Sequence, residues 1–306
     1  MNIVLVEPLG INHELLLDFK LKIEGLNHEF KYYDSKPKDD DDLINRIKDQ
    51  DIIMLANYPI SLEVLKTNPN VKYIAVAFTG LDHIPLDYCI ENNIKVTNCS
   101  GYSTTSVSEQ VIGMTLSLYR FLHLNHSVTL NSNTSAIYGP GDEIKDKTVG
   151  IIGMGNIGLE TARLYKAFGA NIIYYSRTKK DIEYDYVELD YLLKNSDIIS
   201  LHIPYNKDTH HLLNKEKLDL INSNSILINT ARGKVIDNKY LAKLLNENKI
   251  RGAAIDVFDY EPPLQADYPL INVKNILLTP HTAFLTKEAL IRRAKIEFEN
   301  VLNYIK

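Results

Sequence analysis

The run I-I-G-M-G-N-I-G, Ile151 to Gly158, sits between an apolar strand-like segment, Thr148 to Ile152, and an amphipathic helical pattern that ends near Phe168. Strand, glycines and helix in that order are what a dinucleotide-binding turn requires. Gly153 permits a tight turn, Gly155 lets the backbone approach a pyrophosphate, and Gly158 lets the helix pack close to its strand, with the helix N-terminus facing the phosphates. Met154, Asn156 and Ile157 complete the segment, and all six positions are cofactor-binding candidates. An ordinary βα turn can share this pattern, so the assignment needs support from elsewhere in the chain.

The end of the next strand, Asn171 to Tyr175, supplies part of that support. An Asp or Glu at this point normally binds the ribose hydroxyls. Here the chain reads S-R-T-K-K, Ser176 to Lys180, a hydroxyl followed by cations. Losing the acid removes repulsion toward a 2′-phosphate, and the cations offer donors for it. Ser176, Arg177 and Thr178 are therefore cofactor candidates, and NADP(H) is favoured. NAD(H) stays open, since a basic loop can simply be solvated.

The 306 residues suit two domains better than one. A net charge of −5 offers no general attraction to nucleic acid or an anionic membrane, and neither is expected as a partner. Cys89 and Cys99 show neither C-x-x-C spacing nor a nearby His at ligand spacing, so reduced thiols are expected and no metal site. Met1 to Glu7 is strand-like and runs into Pro8 without a basic leader, and no apolar stretch approaches the ~18 residues of a membrane span. A cytoplasmic protein is expected.

Short β-branched runs alternate with helical patterns, as in parallel sheets covered on both faces. Strands are expected at Ile3 to Val6, Glu29 to Tyr33, Ile52 to Leu55 and Tyr73 to Val76, giving a first α/β unit over residues 1 to 99. The acidic run Asp39 to Asp42 reads as a solvated helix start. Val107 to His126 reads as one long helix, and Asn131 to Gly141 as a loop. Later strands are expected at Ile198 to Leu201, Ser225 to Asn229, Gly252 to Ile255 and Ile276 to Leu278, with a terminal helix from Thr286 to Tyr304.

Three of these strand ends carry catalytic residue types. I-N-T-A-R-G places Arg232 past one strand, D-V-F-D-Y-E-P-P places Glu261 past the next, and T-P-H-T-A places His281 past the last. Ligands of open α/β sheets collect at that edge. An Arg can grip a planar carboxylate through two parallel hydrogen bonds, a His can exchange a proton near neutral pH, and a neighbouring Glu can orient that His.

Taken together, G-M-G-N-I-G, S-L-H-I-P with Thr209 downstream, I-N-T-A-R-G, D-V-F-x-x-E-P-P and T-P-H-T-A resemble the D-isomer-specific 2-hydroxyacid dehydrogenases in order and spacing, over nearly the whole chain. The resemblance implies catalytic roles for Arg232, Glu261 and His281. It implies cofactor contacts from His202, Pro204, Thr209, Thr230, Ala231, Asp256 and His281, with Asp256 beside the nicotinamide carboxamide. The loop A-F-T-G-L-D-H-I, Ala77 to Ile84, resembles the family's substrate loop, so Phe78, Thr79 and Gly80 join Arg232 and His281 as substrate-binding candidates. Phe78 replaces a small residue there, Ser108 replaces a customary Ala, and Ser176 stands where the ribose-binding Asp would fall.

The implied fold is α/β with two doubly wound parallel-sheet domains. A Rossmann cofactor domain, residues 100–284, is inserted into a flavodoxin-like substrate domain, residues 1–99 plus 285–306, and the site lies in the cleft between them. The implied activity is reversible reduction of a small 2-keto acid to a D-2-hydroxy acid, and the implied assembly is a homodimer joined through the cofactor domains. A dinucleotide-sensing interaction protein of the corepressor type is the alternative, because the same family resembles such proteins. Formate dehydrogenase is a third reading, disfavoured because Glu261 stands where that branch carries Gln.

Overall fold

A computed structural model describes residues 1–131, 134–135, 137–260 and 264–306. The chain divides into two compact units, Met1–Ser103 with Leu285–Lys306, and Thr104–Phe284.

The first unit is built on β1 (Asn2–Leu5), β2 (Glu29–Tyr32), β3 (Ile52–Leu55), β4 (Tyr73–Val76) and β5 (Lys95–Thr97). Among the described residues they form one parallel sheet in the order β2-β1-β3-β4-β5, the flavodoxin-like arrangement. Every residue of β3 and β4 is buried, which is why these strands read as continuous apolar runs. Helices α1 (His13–Glu24), α2 (Asp40–Ile47), α3 (Leu62–Lys66) and α4 (Leu86–Glu91) connect the strands. The acidic run does start a helix: Asp39 Oδ1 caps α2 by accepting from Asp42 N at 2.9 Å. Hydrogen bonding to Arg46 holds the Asp42 carboxyl below its usual range.

The terminal helix, Lys287–Ile305, belongs to this unit. Arg292 Nε donates to Tyr102 O at 2.9 Å, Arg293 Nη2 to Leu9 O at 3.0 Å, and Asn300 Nδ2 to Asn98 O at 3.2 Å. Cys99 Sγ donates to Arg293 O at 3.3 Å. These ties hold residues 98–102 in the first unit, so the chain crosses to the second at Ser103 and Thr104 and not at residue 99.

The second unit contains α5 (Thr104–Tyr119), α6 (Leu122–Leu130), β6 (Thr148–Ile152), α7 (Asn156–Ala167), β7 (Asn171–Tyr175), β8 (Asp185–Tyr186), α8 (Leu189–Asn195), β9 (Ile198–Leu201), α9 (Lys215–Leu218), β10 (Ile226–Asn229), α10 (Asn238–Asn246), β11 (Gly252–Ile255) and β12 (Ile276–Leu278). The described strands form a parallel sheet in the order β12-β11-β10-β9-β6-β7-β8. Strand order reverses between β6 and β9, the switch point at which Rossmann sheets open a ligand crevice. Core side chains from β9, β10 and β11 pack against α8 and α10 on one face, and α5 and α7 cover the other.

Three expectations need correction. The helix expected over Val107 to His126 is broken, because Phe121 is left-handed at φ 51° and the Tyr119 carbonyl accepts from Asp142 N at 3.0 Å in place of the next helical turn. Arg251 lies over the Tyr119 and Phe121 rings, at 5.2 and 6.0 Å from their centroids, and holds the corner. Strands β5 and β8 were not foreseen, since each is short, with Lys95 and Asp185 exposed.

Candidate active site

The predicted glycine turn sits at the C-terminal end of β6, beside the switch point. Gly153 has φ 100°, and a Cβ there would stand 2.6 Å from the His202 carbonyl oxygen; one on Gly158 would stand 2.0 Å from the Gly153 oxygen. Neither position admits a side chain. Gly155 faces open space and precedes α7 without any side-chain cap, so the first N–H groups of α7 remain available to an anion. The Met154 side chain turns into the core, leaving only its main chain for a ligand. Asn156 is exposed and Ile157 half-buried. Ser108 ties this turn to α5: its Oγ donates to Thr104 O at 2.8 Å, accepts from Thr161 Oγ1 at 3.1 Å, and lies 3.3 Å from Ile157 O.

Gly153 N donates to Tyr175 O at 2.8 Å, which joins the turn to the end of β7, where Ser176 to Lys180 begins. Tyr174 Oη accepts from Lys180 N at 2.8 Å and donates to Lys180 O at 3.1 Å, closing that loop. The Ser176 hydroxyl donates to Thr178 O at 2.7 Å, so its proton serves the turn. Arg177, Thr178 and Lys179 are exposed, and among the described residues neither cation has a carboxylate partner.

At the end of β9, His202 N donates to Ile152 O at 2.7 Å and Ser200 Oγ lies 2.9 Å from His202 Nε2. Burial lowers the His202 pKa to about 3, so its ring is neutral near pH 7. Thr209 is spent on its own loop, donating through Oγ1 to Pro204 O and accepting from Asn206 N, each at 2.8 Å.

The Arg232 turn is organised by a residue that sequence reasoning did not single out. Asn229, fully buried, accepts from Ala231 N through Oδ1 at 3.0 Å and donates through Nδ2 to Arg232 O at 2.9 Å. This leaves the backbone at Arg232 extended and the side chain half-buried, with Nη1 donating to Ala231 O at 2.7 Å. Thr230 Oγ1 is buried and has no hydrogen-bond partner among the described residues. An orphaned buried hydroxyl on the same sheet edge as an uncapped helix start and an open glycine fits a polar ligand such as a dinucleotide.

His281 is also held by a buried side chain. Asp256 Oδ1 accepts from Thr279 Oγ1 at 2.5 Å and Thr282 N at 2.9 Å, and Oδ2 accepts from Ala283 N at 3.0 Å. These three bonds make Asp256 the organiser of the T-P-H-T-A turn, and burial raises its pKa. The clamp keeps His281 at φ 53°, with its N–H donating to Asp256 O at 2.8 Å. The chain thus presents Gly153, His202, Arg232 and His281 at C-terminal ends of neighbouring parallel strands. Glu261 lies outside the described residues.

Phe78, Thr79 and Gly80 lie in the first unit, just past β4. Phe78 is buried, with ring centroids 6.1 Å from Tyr102 and 6.5 Å from His83, so it packs the core behind the loop. Asn98 Nδ2 donates to Thr79 O at 2.8 Å and sets the loop.

The fold and this edge define a nicotinamide-dinucleotide-binding α/β oxidoreductase. Residues 112–283 match the NAD binding domain of the D-isomer specific 2-hydroxyacid dehydrogenases. A glyoxylate reductase of Thermofilum pendens is 36% identical over 290 residues, covering 91% of this chain and 84% of that protein. An acyclic imino acid reductase (Bsp5), solved in complex with NADPH and D-Arg, superposes with a TM-score of 0.91 at 30% identity, covering 99% of this chain and 97% of that one. D-lactate dehydrogenase from Aquifex aeolicus, complexed with NAD and lactic acid, superposes at 0.87 with 30% identity, covering 100% and 95%. The chain belongs to the D-isomer-specific 2-hydroxyacid dehydrogenase family and is an oxidoreductase interconverting 2-keto and 2-hydroxy acids.

Proposed function

We propose that the protein reduces a small 2-keto acid to the D-2-hydroxy acid with NADP(H) preferred over NAD(H), using Arg232, His281 and Glu261. The observation that carries the reading is the pair of locked turns, Asn229 under Arg232 and Asp256 under His281, on the sheet edge that also bears the glycine turn. Arg232 holds the substrate carboxylate and the C2 oxygen through its two-pronged guanidinium. His281 delivers a proton to that oxygen, and Glu261 orients the His281 ring. Thr79 and Gly80 assist with the carboxylate. Bound nicotinamide supplies the hydride to C2.

Arg177 and Lys179, free of carboxylate partners among the described residues, support recognition of a 2′-phosphate, and the Bsp5 relative was solved with NADPH. A well-formed charge-assisted hydrogen bond contributes about 1.5–3 kcal/mol, so NADPH is expected to exceed NADH in kcat/KM by roughly tenfold to a hundredfold. Ser176→Asp with Arg177→Ala is expected to reverse the order. Steady-state kinetics with both nucleotides test this, and a wild-type enzyme strongly preferring NADH would contradict it.

We further assign a second copy of the chain as partner. Helix α6 carries no charged side chain and buries none of its residues, with Leu122 and Leu130 exposed, which supports a homodimer contact there. Two buried free thiols, Cys89 and Cys99, suit a reducing, cytoplasmic setting.

A further inference from the structure

Arg232 is followed by Gly233, and a Cβ on Gly233 would stand 2.0 Å from the Phe258 carbonyl carbon. The turn bearing Arg232 therefore touches the segment that leads, two residues after Asp259, into Glu261. One side chain spans this contact. Asn238, buried at the start of α10, donates through Nδ2 to Gly233 O at 3.2 Å and to Asp259 Oδ1 at 2.8 Å. Its Oδ1 has no partner among the described residues, so these two donor bonds are what hold the amide. Capping does not explain Asn238, because Asp237 already caps α10 by accepting from Tyr240 N at 3.0 Å. Tyr268 braces the far side, donating to Asp259 Oδ2 at 3.1 Å with its ring edge-on to Phe258 at 5.7 Å.

We propose that Asn238 and Asp259 are a positioning pair that bolts the Arg232 turn to segment 257–260 and so sets the reach of Arg232 to the substrate. This rests on the role given to Arg232 above. A displacement of about 1 Å in such a group can cost 10²-fold, so partial loosening has a large kinetic effect. The link needs an acceptor at residue 259 and not its charge, because the Asn238 amide supplies the proton.

The test is a double-mutant cycle on kcat/KM for glyoxylate, with hydrogen exchange of segments 230–233 and 257–260 read on the same variants. Asn238→Ala and Asp259→Ala are each expected to lower kcat/KM about tenfold, with the nucleotide KM within about twofold of wild type. The double variant should be no worse than either single one, because both remove the same link. Asp259→Asn keeps an acceptor for Asn238 and should stay near wild type. Exchange should quicken in both segments together in Asn238→Ala. Additive losses, an Asp259→Asn variant as impaired as Asp259→Ala, or exchange unchanged in segment 257–260 would overturn the pair. If wild type reduces no 2-keto acid while exchange remains coupled, the assigned reaction fails and the link stands.

Discussion

Arg232→Lys is expected to lower kcat/KM for 2-keto acids by about 10²-fold or more while leaving nucleotide affinity nearly unchanged. Lysine keeps the positive charge but loses the planar fork that meets a carboxylate and a carbonyl oxygen together. The loss should therefore come from geometry. Asn229 holds the Ala231 N–H and the Arg232 carbonyl, Asn238 holds the Gly233 carbonyl, and the substitution touches none of these bonds. Thermal stability should stay within a few degrees of wild type. A Lys variant with near-normal kcat/KM would remove Arg232 from substrate binding.

His281→Asn is the second large effect. Position 281 is left-handed at φ 53°, a conformation Asn tolerates better than most residues, so the turn should survive. The bonds that hold the turn run from Thr279, Thr282, Ala283 and the residue 281 N–H to Asp256, and none uses the imidazole. Removing a positioned proton donor commonly costs about 10²- to 10⁴-fold, and kcat should fall by that order with the nucleotide dissociation constant little changed. Stopped-flow reduction with saturating nucleotide checks it. A variant turning over within about threefold of wild type would place the proton donor elsewhere.

The strands and the ligand-bearing edge were legible in the sequence because the physics there is local. Strands buried on both faces read as continuous apolar runs, as β3 and β4 do, and the glycine turn needs Gly153 and Gly158. Arg232 and His281 were visible for the same reason, each standing just past an apolar run. What escaped depends on partners distant in sequence. No Gly or Pro marks the helix break at Phe121, which rests on Asp142 and Arg251. Met154 lies in a ligand motif, yet its side chain fills the core. The Ser176 hydroxyl is turned to the Thr178 carbonyl, and Asp256 also clamps the turn that carries His281, which its place at a strand end does not reveal. Asn229 and Asn238 look like ordinary polar residues until the carbonyls they hold are known.

The central claim is that this edge reduces a 2-keto acid stereospecifically, and chiral chromatography of the product tests it most directly. Purified enzyme would be incubated with NADPH and, separately, glyoxylate, pyruvate and hydroxypyruvate, with nucleotide oxidation followed by absorbance; pyruvate and hydroxypyruvate give chiral products. The account predicts oxidation of one nucleotide per keto acid consumed and only the D-2-hydroxy acid from each chiral substrate accepted. An L or racemic product, or no turnover of any 2-keto acid with either NADPH or NADH, would contradict it.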